Sequence, residues 1–499
     1  MSLTPLTPLD TLKAANRNIC IFVRGVREGV VICGERVMPA VGVRRLDATR
    51  PRAAPGRPRV ARVFPAVSKL PEPRAVGVRA AAPPLAVAAC ALSFTLCLLA
   101  QVALDIPLGD LDVYRAEGWA ARTGAEIYDL AVTAHELPAT YPPFAALLFV
   151  PLTLLSVDAI RIAVCLLNLG LVIALARLSL RLVGRHAVEC RPIAWERGTP
   201  LIVAALAVWC EPIWATIRYG QINLLLVVLL LWDLTRRPDH RWAGIATGVA
   251  VGIKLTPGLF AVLLTVAGAL LAAGRLRRGE RADNPHLRRA TRAWAAFAGT
   301  VALAALVLPR DSWRYWTDIV LAGDRVGPAE ASANQSLRGV LARALGTGDL
   351  PDWWLPVAVL VCCVGVAVAV AALLADERLP HAPAWAATSC AVTALLVSPV
   401  SWSHHWVWVI PVLVLLFTEA DRRRGRAWWT GAWGAALLSC SYASWLLPHD
   451  ETRPELNLPA VQQLVAAAYP LAGAALLATT GALALRAWRP GRRADRCRS

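Results

Sequence analysis

Asp110-Leu111-Asp112-Val113-Tyr114 follows the first long apolar run of the chain. A carboxylate beside apolar surface can have a raised pKa and accept a proton from an attacking hydroxyl. The pair is therefore a candidate general base. The same two acids would serve as an N-capping pair for a helix over residues 113–122. Their i, i+2 spacing puts them on different helix faces, so only one can be the base. Asp110-Leu111-Asp112 also has the form DxD, which leaves a divalent ion open. The sequence shows no CxxC or Cys/His zinc spacing, so no resident metal or other cofactor is expected.

Further polar groups interrupt apolar runs. Tyr141-Pro142-Pro143-Phe144 has prolines at a helix start, a rigid turn able to pack on the Asp segment with Tyr114. Arg218-Tyr219-Gly220-Gln221-Ile222-Asn223 puts hydrogen-bonding side chains at a run's edge. Lys254 in Lys254-Leu255-Thr256-Pro257 lies inside a break. It fits both a phosphate ligand and a lysine snorkelling to an interface. Asn334-Gln335-Ser336-Leu337-Arg338 offers Asn334 as a sugar contact or, through Asn-x-Ser, a glycosylation acceptor. Ser401-Trp402-Ser403-His404-His405-Trp406-Val407-Trp408 joins two adjacent histidines to three tryptophans. Adjacent imidazoles diverge, which disfavours zinc and favours hydrogen bonding to phosphate or hydroxyl. Trp402 can anchor at an interface or stack on a sugar ring.

These groups need a scaffold, and composition names its solvent. Of 499 residues 57% are hydrophobic and 17% charged, with a mean hydropathy of +0.50. Soluble domains carry about 25% charged residues. Thirteen apolar runs stand out, at 85–104, 141–155, 159–183, 200–214, 222–234, 243–255, 258–273, 293–308, 353–374, 384–397, 406–417, 428–446 and 460–485. They predict an all-α polytopic membrane protein. Arg-rich connectors set orientation: 274–292 has seven arginines and two acids, and with Arg422–Arg424 and the tail it is assigned to the cytoplasm. Residues 105–140, 309–352, 401–405 and 448–459 then face outward. Thirteen runs cannot join two inside ends, so about twelve crossings are expected, with a broken or re-entrant helix between residues 200 and 257. Residues 1–84 read as a basic, Pro/Arg-rich, disordered cytoplasmic extension. Residues 85–488 form the membrane domain, and 489–499 a basic cytoplasmic tail. The net charge of +18 is concentrated ahead of the first span, where 1–80 hold 15 Lys and Arg against five acids. That is a topology signal rather than a nucleic-acid footprint.

DLDVY (Asp110–Tyr114), TYPPFAALLF (140–149), EPIW and GQINLLL (within 211–226), GIKLTP (252–257), RDSWRYW (310–316), NQSLRGVLAR (334–343) and SPVSWSHHWVW (398–408) occur in order. Together they resemble the GT-C glycosyltransferases of family 87. The actinobacterial envelope members of that family are polyprenol-phosphate-mannose-dependent α-(1→2)-mannosyltransferases. The likeness extends over about 85–485 and is nearest to the subgroup branching lipomannan and lipoarabinomannan. A neighbouring subgroup extends phosphatidylinositol mannosides. The resemblance implies a GT-C fold with a helical first outer loop, in the plasma membrane with its site facing outward. It implies inverting transfer to a mannosylated lipid or lipoglycan, with Asp110 as base and Asp112 as the alternative. Lys254, Arg218, Gln221, Asn223, Arg338, His404 and His405 become candidates for the donor phosphate or sugar. Tyr114, Tyr141, Asn334 and Trp402 become candidates for acceptor or sugar contact. A transporter or lipid flippase is the competing reading, and would place polar groups near the midplane of both halves. A signalling scaffold acting through its N-terminal extension is a third.

Overall fold

The computed structural model describes residues 83–104, 108–133, 136–184, 193–237, 239–322, 325–450 and 452–489. The expected extension lies outside these up to residue 82, as does the expected tail from 490.

Among the described residues the regular structure is helical except for one short hairpin, whose two-residue strands Ala131–Val132 and Leu137–Pro138 pair antiparallel. Its helices are α1 (Pro83–Ala103), α2 (Gly109–Thr123), α3 (Pro143–Phe149), α4 (Val157–Gly184), α5 (Ile193–Ala207), α6 (Glu211–Tyr219), α7 (Asn223–Leu234), α8 (Ile245–Ile253) and α9 (Gly258–Leu276). They continue with α10 (Pro285–Val307), α11 (Pro309–Thr317), α12 (Leu337–Leu345), α13 (Trp354–Ala375), α14 (Ala382–Val397), α15 (Val409–Arg423), α16 (Arg426–Cys440), α17 (Ala460–Ala466) and α18 (Ala468–Trp488). Helices satisfy their backbone internally, which a hydrocarbon surrounding demands. Leu92, Leu96 and Leu99 of α1 and Leu303 and Leu306 of α10 point outward. Apolar surface of this kind suits lipid rather than water.

Seven described helices are long and apolar enough to cross a membrane, or eight if one bent pair counts as a single span. Twelve crossings were expected. The difference lies mainly in apolar helices too short to meet that length, including Asn223–Leu234 and Ala382–Val397. The bent pair falls in the stretch expected to be broken: Gly198–Ala207 and Glu211–Tyr219 meet at 75°. Cys210 leaves helical geometry (φ −70°, ψ 131°) and Pro212 restarts the chain in the first turn of α6. Proline has no N–H to supply there, so it suits a helix start.

α14 is the inner post. Every residue from Ala384 to Leu396 is buried, against α9, α13, α15 and α18. Its alanines, serine and threonines admit close neighbours, as membrane helix packing requires. α8 meets α10 closely: a Cβ at Gly248 would lie 2.1 Å from the Ala293 carbonyl oxygen. The two short helices α7 and α8 thereby hold Asn223 and Lys254 at neighbouring ends.

Candidate active site

α2 begins one turn earlier than the capping alternative required. Leu108 is its N-cap and no side chain caps it, so Asp110 and Asp112 lie inside the first turn. Neither is spent on capping, and the helix N-terminus favours their negative charge. Their faces differ as the spacing requires. Asp112 turns outward, 3.7 Å from Arg161 across a partly exposed ion pair. Asp110 turns inward, where its carboxyl hydrogen-bonds Gln221 and feels the charge of Lys254. Burial raises its pKa above the usual aspartate value of 3.8, and those two neighbours pull it part of the way back.

Gly220 fixes this approach. It ends α6 in the left-handed conformation, φ 69°, which glycine adopts freely. A Cβ there would stand 2.9 Å from the Leu111 Cβ. The turn between α6 and α7 is therefore seated on the first turn of α2, with Gln221 beside Asp110.

Gln221 is buried and its Oε1 accepts from the Tyr114 hydroxyl at 2.9 Å, with the Tyr141 hydroxyl at 3.3 Å and Asn223 Nδ2 at 3.4 Å. The two phenols lie 3.0 Å apart, and Tyr114 stacks on Phe149 of α3 at 4.5 Å. Asn223 Nδ2 also donates to the His404 carbonyl at 3.2 Å. Lys254 Nζ donates to Asn223 Oδ1 at 3.3 Å and lies 3.1 Å from His405 Nε2. Its ammonium also sits 5.2 Å from the centre of the Tyr141 ring, within range of cation–π attraction. Thus α2, α3, α7, the end of α8 and the 3-10 turn Ser403–Trp408 converge on one polar cluster.

The histidine turn is held from behind. Thr216 Oγ1 donates to the His404 carbonyl at 3.0 Å, and the Tyr219 ring meets His404 edge-on at 5.4 Å. Buried Glu211 accepts from Trp445 Nε1 at 2.8 Å and from the Tyr469 hydroxyl at 3.0 Å. Arg218 stacks over Trp445 at 5.0 Å. Glu211 was missed as a site residue, although an acid inside an apolar run, next to Pro212, was a signal worth following. Glu117, buried on α2, was also missed, because in sequence it looks like any loop acid.

Two cavities adjoin the turn. One of about 50 Å³ is bordered by Asn223, Lys254, Ser401, His405 and Trp408. The other, of about 410 Å³, is an apolar cleft beside α15, α16 and α18, bordered by Trp406, Trp408, Leu413, Trp428, Tyr469 and Leu476.

Three expected site residues stand apart. Asn334 is fully buried. Its Nδ2 donates to the Ala329 carbonyl at 2.8 Å, and its Oδ1 accepts from Ser401 N at 3.0 Å and Ser336 N at 3.2 Å. Enclosed and bonded in this way, Asn334 has a structural role in place of the expected sugar contact or glycosylation acceptor. Asn334 stitches its loop to residues 399–403, with Gln335 N bonded to the Ser401 carbonyl at 2.7 Å. Trp402 packs its ring against Gly327. Arg338 stacks over Trp354 at 5.7 Å. Arg343, unnoticed in the sequence, braces the same loop by donating to the carbonyls of Ala331, Asn334 and Ala466 at 2.8–3.1 Å. Among the described residues no group of three or more His, Cys, Asp or Glu could hold a metal ion.

Comparison with known proteins gives a consistent family. The model described as glycosyltransferase family 87 matches residues 139–399. A polyprenol-phosphate-mannose-dependent α-(1-2)-phosphatidylinositol mannoside mannosyltransferase of Mycolicibacterium smegmatis is 35% identical over 70% of this chain and 78% of its own. The Mycobacterium tuberculosis protein with the same description is 34% identical over 64% of this chain and 72% of its own. A pentamannoside mannosyltransferase of Mycobacterium tuberculosis, with the same donor dependence, is 33% identical over 70% and 73%. None of these names specifies a lipoglycan acceptor. No solved structure matches the chain.

Proposed function

Since the chain belongs to glycosyltransferase family 87, a membrane hexosyltransferase rather than a transporter or flippase, we propose that it transfers mannose from polyprenol-phosphate mannose to a phosphatidylinositol mannoside at the outer face of the plasma membrane. The link formed is α-(1→2), with inversion. In this reading Asp110 takes the proton of the acceptor hydroxyl as that oxygen attacks C1 of mannose. The C1–O bond to phosphate breaks, and polyprenyl phosphate leaves with the electron pair. A lipid monophosphate needs its developing charge met by cations and hydrogen bonds. Lys254 and His405 are assigned that task, with Asn223 holding Lys254 in place and Arg218 and His404 nearby. Tyr114 and Tyr141 border the acceptor side.

One observation carries the reading. The only acid of the DxD pair not tied to an exposed arginine turns toward the cluster that contains Lys254 and His405. Two further points support it. The apolar cleft beside Trp406 and Trp408 has the chemistry of an isoprenoid tail, and the names of the relatives supply the donor. The outward orientation rests on the Arg-rich connectors.

The test uses right-side-out and inverted membrane vesicles given labelled polyprenol-phosphate mannose with phosphatidylinositol mannosides or lipomannan. Linkage analysis should find α-(1→2)-mannose on the phosphatidylinositol mannoside, formed at the outer face. A product on lipomannan alone would move the acceptor to the lipoglycans. No mannosyl product with either acceptor would refute the reading.

A further inference from the structure

Gln221 was expected to bind donor, but its surroundings give it a different task. The argument is one of matching donors to acceptors. Asn223 lies between the His404 carbonyl, which can only accept, and the Lys254 ammonium, which can only donate. The Asn223 amide is thereby fixed, with Nδ2 toward His404 and Oδ1 toward Lys254. That same Nδ2 faces Gln221, so the atom Gln221 offers there must be its oxygen. The Tyr114 hydroxyl at 2.9 Å is directed to the same oxygen. With Oε1 turned to these donors, the Nε2 hydrogens of Gln221 are what remains for the Asp110 carboxylate.

We propose that Gln221 and Asn223 form a positioning relay, in which two amides locked head to tail carry the placement of the Lys254 cation through to the orientation of the Asp110 carboxylate. The relay crosses from the end of α8 through the start of α7 to the first turn of α2. Its rigidity comes from burial: Gln221 and Asn223 are both about 95% inaccessible, and Gly220 clamps the turn against Leu111. The consequence is coupling. A ligand anion that draws Lys254 away from Asn223 Oδ1 loosens the lock on the base, and a fixed Lys254 holds it. Gln221 acts through Asp110 and need not touch the substrate.

This inference rests on the reading of Asp110 as the base, and the experiment separates the two. The full-length protein is purified in detergent, and mannosyl transfer is followed as a function of pH for Gln221→Leu, Gln221→Glu, Asn223→Asp and Asp110→Asn. A hydrogen bond to a charged acceptor corresponds to about one to two pH units. Gln221→Leu should therefore move the acid limb of kcat upward by about one unit, with the KM for donor within about twofold of the parent. Gln221→Glu, which adds a like charge, should move it further. Asn223→Asp removes the hydrogens that pin the Gln221 oxygen and should shift the limb in the same direction, which covers the case of a poorly folding Gln221 variant. A raised donor KM with an unmoved limb would make Gln221 a ligand group and overturn the relay. So would a loss of equal size at every pH. If Asp110→Asn stays active, the base assignment falls, and the relay with it. If Asp110→Asn is dead but no limb moves, only the relay falls.

Discussion

Glu117 lies seven residues after Asp110, on the same side of α2. It is 1% exposed, and one of its carboxyl oxygens has no hydrogen-bond partner among the protein atoms. Burial pushes its pKa up to about 8 from an ordinary value of 4.5. An acid with a raised pKa in the fold binds its proton more tightly folded than unfolded. The fold therefore loses stability as pH rises from 4.5 toward 8, at about 1.4 kcal/mol per unit. At pH 7 that amounts to about 3 kcal/mol. Glu117→Gln keeps the shape of the protonated acid and removes the ionisation. Its extra N–H adds a cost of about 1–3 kcal/mol that does not vary with pH. The informative quantity is therefore the slope. Melting temperatures of parent and variant in one detergent, measured by intrinsic fluorescence between pH 5 and 8.5, should diverge in favour of the variant by a few degrees. A difference constant across that range would refute the account of Glu117 as a buried neutral acid.

Three further outcomes follow from the same geometry. Gly220→Ala combines a left-handed φ with a Cβ 2.9 Å from Leu111; it should lower stability by about 1–2 kcal/mol and reduce kcat more than it changes acceptor KM, read by melting and steady-state transfer. Asn334→Ala strips three hydrogen bonds, two within the loop 329–336 and one that ties it to Ser401; it should cost about 3 kcal/mol or more, lowering the melting temperature and the yield of folded protein, while sugar selectivity in the surviving fraction stays unchanged. In the parent protein, transfer should fall as pH drops and Asp110 takes up a proton. Because burial raises that group, the midpoint of the acid limb should lie above 3.8.

The membrane class was legible because lipid leaves a coarse signal: long apolar runs need no partner to be recognised. The break near residue 210 was legible too, since Pro212 and short runs interrupt the pattern. The lengths of individual helices were not: Asn223–Leu234 and Ala382–Val397 are apolar but shorter than a span, and an apolar run does not itself say where its helix stops. At the site, the i, i+2 spacing correctly separated Asp110 from Asp112 onto different faces. It could not say which faced inward, a matter decided by how Gly220 meets Leu111. Lys254 and His405 were flagged separately, and their 3.1 Å approach depends on a contact across 151 positions that no local pattern encodes. Asn334 misled because an Asn-x-Ser motif is judged by its neighbours in sequence, whereas its burial comes from residues 399–403. Glu211 was overlooked for the converse reason: its partners Trp445 and Tyr469 are more than 230 residues away.

Transfer of labelled mannose from polyprenol-phosphate mannose by purified Asp110→Asn and Asp112→Asn, each confirmed folded by its melting temperature, tests the central claim most directly. The account predicts that Asp110→Asn loses about 10²–10⁴-fold in kcat, while Asp112→Asn, which gives up only a partly exposed pair with Arg161, stays within a few-fold of the parent. Near-normal transfer by Asp110→Asn together with loss in Asp112→Asn would contradict it.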